Sequence, residues 1–119
     1  MNPTHALLVA LGAAVGAPLR LTVAHWTREH LGAAPPVGTL AVNVAGSLVL
    51  GVLVGDAVDG AALALVGTGF CGALTTFSTL ALELWDALED GRAVAAAVTL
   101  GLSIVLGIGA AALGYALAG

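Results

Sequence analysis

Charge is what this chain has least of. Only 8% of its 119 residues are Asp, Glu, Lys or Arg, against 60% hydrophobic. A soluble domain carries about a quarter charged residues, so this surface could not be kept wetted, and water is excluded as its main solvent. The few charges are also bunched. None falls between Val37 and Gly55, between Gly60 and Leu82, or from Ala93 to the C-terminus, and before Arg20 the last interruption is His5. Basic residues are scarcer still: three arginines against seven acids give a net charge of −4, which argues against a nucleic-acid partner, since that needs a basic patch. The one cysteine, Cys71, lies inside an apolar run. It excludes an intrachain disulfide and reads as a small packing residue. The start, MNPTH, has no Lys or Arg, so the first apolar run reads as a span rather than a cleaved leader.

What the chain does have is four apolar runs, each long enough to cross a hydrocarbon core of about 20 helical residues. They predict helices over 5–26, 37–55, 60–86 and 92–117, in a single domain covering 1–119. The connections WTREHLGAAPP, DAVDG and EDGR supply polar residues and the breakers Gly32, Pro35, Pro36, Gly60 and Gly91. Four spans put both termini on one side. Arg28 and Arg92, with Arg20 near the end of helix 1, then fall on the other side, weakly favouring a cytoplasmic position for loops 1 and 3. So small a bias also suits insertion both ways round. Small residues recur at four-residue spacing (Gly12 with Gly16, Gly51 with Gly55, Ser103 with Gly107, Ala110 with Gly114), a pattern that lets helices approach closely in lipid. Four thin helices enclose little, so a larger assembly is expected.

The informative residues are those that hydrocarbon should exclude. Helix 2 carries Thr39, Asn43, Gly46 and Ser47 on one stripe; helix 3 carries Thr75, Thr76, Ser78, Thr79 and then Glu83; helix 4 carries Thr99, Ser103 and Gly107. One such residue is explained by an interhelical hydrogen bond, but three stripes together suggest the lining of a narrow polar path. Its chemistry is that of neutral donors: the Asn43 amide and the Ser and Thr hydroxyls, with the Phe77 ring edge carrying partial positive charge and Arg20 a full one near a helix end. Such a path strips a small anion of water stepwise. Glu83 is assigned to a vestibule or helix end. Three glycines in six residues (Gly67, Gly69, Gly72) followed by Thr75 and Thr76 predict a break around 72–76, which would free carbonyl oxygens, hard ligands for an alkali cation.

Three segments carry a family resemblance: GAPLR in helix 1, GTLAVNVAGSLVLG in helix 2 and GFCGALTTFSTLALE in helix 3. Together they resemble the small Fluc (CrcB) fluoride channels. The resemblance implies an all-α membrane fold with four transmembrane helices per subunit and an interrupted helix 3. It implies an antiparallel, dual-topology dimer with two fluoride pores, passively exporting toxic cytoplasmic fluoride across the cell membrane. It further implies a sodium ion at the dimer centre, held by the carbonyls of Gly72 and Thr75. The family's pore asparagine falls on Asn43 and the first of its two pore phenylalanines on Phe77. Thr39, Ser78, Thr79, Thr99 and Ser103 would supply hydroxyls, Arg20 and Glu83 the vestibule charges. The second phenylalanine falls on Leu80, a departure that suits either a tolerant homodimer or one half of a heterodimer with a degenerate pore. A small multidrug exporter would need a buried acid in helix 1, which is absent. An enzyme would need a nucleophile–base pair, a metal-spaced cluster or a phosphate loop, and the sequence offers none.

Overall fold

The computed structural model describes residues 2–30 and 35–119, and all of its regular structure is helical. In chain order it has α1 (Pro3–His30), α2 (Pro35–Gly55), α3 (Gly60–Ala62), a π-helix (Leu63–Cys71), α4 (Gly72–Leu74), α5 (Phe77–Glu89) and α6 (Ala93–Ala118). Four stretches are long and apolar enough to cross a membrane: Pro3–His30, Val37–Gly55, Gly60–Glu89 and Ala93–Ala118. The chain is a multi-pass all-α membrane protein.

The boundaries have local causes. α1 runs a turn beyond the apolar text because its polar end is bonded along the helix. Thr27 is buried and its hydroxyl donates to the Ala24 carbonyl at 3.0 Å, and Trp26 stacks on His30 with ring centroids 5.1 Å apart. Pro35 and Pro36 were expected to break the chain, yet they begin α2; a proline in the first helical turn loses no hydrogen bond, since those N–H groups have no partner in any case. Gly32, the other expected breaker, lies outside the described residues. Between α5 and α6 the Arg92 N–H donates to the Ala87 carbonyl at 2.7 Å and the Gly91 N–H to Leu88 at 3.1 Å, with Gly91 at φ 75°. That is a Schellman closure, whose left-handed residue favours glycine.

Two intimate pairings hold the bundle, α2 with α6 and α1 with the π-helix. Both depend on missing side chains. A Cβ on Gly12 would collide with the Leu65 carbonyl, and one on Gly69 would lie 2.6 Å from the Val9 carbonyl. Across the other pairing, a Cβ on Gly114 would collide with the Leu48 carbonyl and lie 2.9 Å from the Val52 nitrogen. Of the glycines expected to open helix 3, Gly69 serves to bring its backbone against α1. Gly72 itself is helical (φ −62°, ψ −36°), and the departure from helix comes later, at Thr75 (φ −80°, ψ 154°) and Thr76 (φ −151°, ψ 124°).

The buried apolar residues are mostly small or medium (Val42, Ala64, Cys71, Leu74, Ala87), while Leu7, Leu21, Val94, Val105, Ile108 and Leu117 point outward. Lipid tails are as apolar as leucine, so association rests on close packing rather than on hiding large side chains. Gly114→Val is accordingly expected to cost about 1–3 kcal/mol by overpacking. Gly109→Ala, whose added carbon meets nothing within 4 Å, should be neutral. Unfolding midpoints in detergent check the contrast, and equal midpoints would count against the packing account.

Candidate functional site

Two consecutive extended residues in the middle of a membrane span leave backbone groups without helical partners, and hydrocarbon cannot satisfy them. The side chains around Thr75 and Thr76 meet that demand one group at a time. Asn43, on α2, grips the break from across the bundle: its Oδ1 accepts from the Thr76 N–H at 2.7 Å, and its Nδ2 donates to the Thr76 carbonyl at 3.1 Å. The Thr76 hydroxyl caps α5, accepting from the Thr79 N–H at 3.1 Å and donating to the Thr79 hydroxyl at 3.2 Å. The Thr75 N–H and hydroxyl both donate to the Cys71 carbonyl, at 3.0 and 2.8 Å.

The accounting leaves a specific residue. In an unbroken helix the Gly72 carbonyl accepts from Thr76 N–H and the Thr75 carbonyl from Thr79 N–H. Here Asn43 holds the first donor and the Thr76 hydroxyl the second. Both carbonyls lose their helical partners, as do those of Ala73 and Leu74 across the same break; of the four residues only Gly72 and Thr75 line a cleft of about 340 Å³, together with Asn43, Ser47, Thr76, Phe77 and Leu80. Phe77 stands at this cleft with 77% of its surface exposed, whereas Leu80, one turn on, is 93% covered by its own chain (7% exposed). The two positions are thus unlike in setting as well as in chemistry.

Thr76 also borders a second, smaller crevice of about 50 Å³, lined by Arg20, Thr39, Thr79 and Val42 among others. Arg20 brings a permanent positive charge to a ring of hydroxyls there. The Glu83 Oε1, further along α5, is buried without a hydrogen-bond partner among the described residues. Glu83 in turn lines a third hollow of about 310 Å³ between α5 and α6, with Asp86, Glu89, Asp90, Arg92 and Thr99. Cleft and crevice share Thr76, and the third hollow, a vestibule-like space, lies further along α5 at Glu83.

The residues singled out from the sequence divide among these spaces. Asn43, Gly72, Thr75, Phe77 and Leu80 meet at the cleft, Arg20, Thr39 and Thr79 at the crevice, Glu83 and Thr99 at the vestibule. Ser78 and Ser103 line none of the three; the Ser103 hydroxyl is bonded to the Thr99 carbonyl of its own helix at 2.8 Å. Sequence reasoning gave Asn43 the part of a donor to an anion and did not foresee its double bond to Thr76. It placed Thr76 on the polar stripe of helix 3 and in the expected break, and did not foresee its role as the cap of α5. A hydroxyl three residues ahead of Thr79, at the start of an apolar helix, is the N-cap signal that would have found it.

Comparison with known proteins places this architecture. The family model described as CrcB-like protein, Camphor Resistance (CrcB), matches residues 7–115. The chain is 44% identical over 111 residues to the fluoride-specific ion channel FluC 2 of Rhodococcus jostii, covering 93% of this chain and 96% of that protein. It is similarly 47% identical over 117 residues to FluC 1 of Symbiobacterium thermophilum, covering 93% and 94%. With its four spans, and with such a match over nearly its whole length, the chain belongs to the CrcB-like family.

Proposed function

We propose that this chain forms a fluoride-selective passive channel that lets cytoplasmic fluoride leave across the cell membrane, and that the conducting unit is two copies in antiparallel, dual-topology arrangement. The observation that carries the reading is the extended pair Thr75–Thr76, clasped by Asn43 and opening on a polar cleft beside an exposed phenylalanine. The relatives, named fluoride-specific channels, support the choice of anion.

The chemistry of the lining suits a small, strongly hydrated anion. One Asn43 amide proton is held by Thr76, and the second is free to donate. Hydroxyls of Thr39, Ser47, Thr79 and Thr99 can rotate to present O–H groups in turn, and Phe77 presents a ring whose edge is partially positive. Arg20 draws anions toward the crevice without lying in the cleft itself. Neutral donors replace hydration water without trapping the ion, which is what conduction requires. Each step moves an ion; no bond is made or broken.

A second copy is called for by the solvent. Non-helical backbone is tolerated at membrane depth only when buried in protein or lining a polar cavity. In a lone subunit the cleft with its two bare carbonyls would meet lipid. The donor set there fits a sodium ion: carbonyl oxygens of Gly72 and Thr75 are neutral, hard and without helical partners. When bound, sodium supplies fixed positive charge at the break. Facing copies would each contribute their carbonyls, and Gly72 and Thr75 would hold it.

One observation favours a second reading. Of the two cleft residues Leu80 is packed within its own chain and only Phe77 is widely exposed, so the chain also suits a partnership with a homologous subunit that supplies the complete pore. Efflux from liposomes holding only this purified chain, followed with a fluoride electrode against a chloride control, tests the main reading. Fast fluoride release with little chloride is expected, and no release from folded protein would reject a self-sufficient channel. In the same assay Phe77→Ile should slow fluoride several-fold, since it removes the partially positive ring edge from the cleft; an unchanged rate would remove Phe77 from the path. Leu80→Phe should keep or raise the rate, because the adjoining cleft has room for a ring, and loss of flux with retained folding would show that the buried leucine is required.

A further inference from the structure

We propose that Asn43 and Thr76 are positioning residues for the cation site: each holds away the one N–H group that would otherwise cover a ligand carbonyl. The inference rests on the sodium reading above and adds to it a cause for the bareness of those two oxygens.

A span that merely stopped and restarted would leave its orphan carbonyls to whatever donor lay nearest. Here the redirection is specific. Thr76 N–H, the helical partner of the Gly72 carbonyl, is taken by Asn43 Oδ1 at 2.7 Å from 33 residues away. Thr79 N–H, the helical partner of the Thr75 carbonyl, is taken by the Thr76 hydroxyl at 3.1 Å. The Asn43 bond to the Thr76 carbonyl at 3.1 Å holds the following peptide as well, so neither peptide flanking Thr76 can rotate back into helical register while the clasp holds. Asn43 thereby joins two tasks in one amide: Oδ1 and one proton maintain the cation ligands, and the remaining proton faces the cleft. An Asn43 that served only as an anion ligand would affect fluoride flux and leave sodium dependence alone.

The two roles separate in a sodium titration of the purified full-length chain in detergent, at constant ionic strength with N-methylglucamine as the replacement cation. The readout is the unfolding midpoint. For the unaltered chain it should rise with sodium. Asn43→Ala and Thr76→Ala, which release the held N–H groups, should each need about ten-fold more sodium for the same rise, the equivalent of one hydrogen bond near a charge. Thr76→Ser keeps the cap and should restore the unaltered titration. Folded alanine variants that titrate like the unaltered chain would overturn the proposal, as would a Thr76→Ser that behaves like Thr76→Ala. Should Asn43→Ala fail to fold, the Thr76 pair decides by itself. A midpoint of the unaltered chain indifferent to sodium would overturn the cation reading itself, and that is seen before any variant is made.

Discussion

A single residue, Thr76, held through both of its flanking peptides by one side chain, governs the rest of this structure. Asn43 bonds the N–H and the carbonyl of Thr76 together, and so keeps two residues of a membrane span extended where every local force favours helix. Hydrocarbon offers no water to rescue a backbone group. An interruption at this depth therefore persists only if each displaced donor finds a new acceptor. The α2 amide, the Thr76 hydroxyl and the doubly bonded Cys71 carbonyl provide those acceptors or receive those donors. Of the carbonyls the break leaves without helical partners, those of Gly72 and Thr75 belong to residues that line the cleft, where they are available for a ligand and cannot be left facing lipid.

The scaffold serves that arrangement. For Asn43 to reach Thr76 at 2.7–3.1 Å, α2 must lie close beside the third span. α2 is in turn fixed by its contact with α6, where Gly114 meets the Leu48 carbonyl, and the π-helical part of the third span by α1, where Gly12 meets Leu65. Absent side chains thus set the distances at which present ones act. Large apolar residues are left to face outward, which in lipid carries no penalty.

Much of the architecture was legible in the sequence because the relevant physics is one-dimensional. Charge-free runs report spans, and Gly12, Gly51 and Gly114 report close approach through spacing alone. The backbone accounting is different in kind. Gly67, Gly69 and Gly72 with the two threonines read as weak helix and set the expected break around 72–76; the extended residues, Thr75 and Thr76, fall within it, while all three glycines are helical. Close contact with α1 explains Gly69 better than disorder of the helix does. The extended residues are two threonines, each supplied with a side-chain bond, which a propensity scale cannot see. Leu80 likewise reads as a substituted pore residue, while its burial within the chain follows from how α5 turns after the break. Partners 33 residues apart, such as Asn43 and Thr76, leave no local trace.

The central claim is that the exposed break obliges two copies to cover it before fluoride can pass. Subunit counting tests this most directly: fluorescently tagged chain is reconstituted so sparsely that a vesicle holds at most one conducting unit, and photobleaching steps are scored in vesicles that release fluoride. Conducting vesicles should show two steps, after correction for incomplete labelling. Fluoride release from vesicles that bleach in a single step, at the frequency full labelling gives for monomers, would contradict the account.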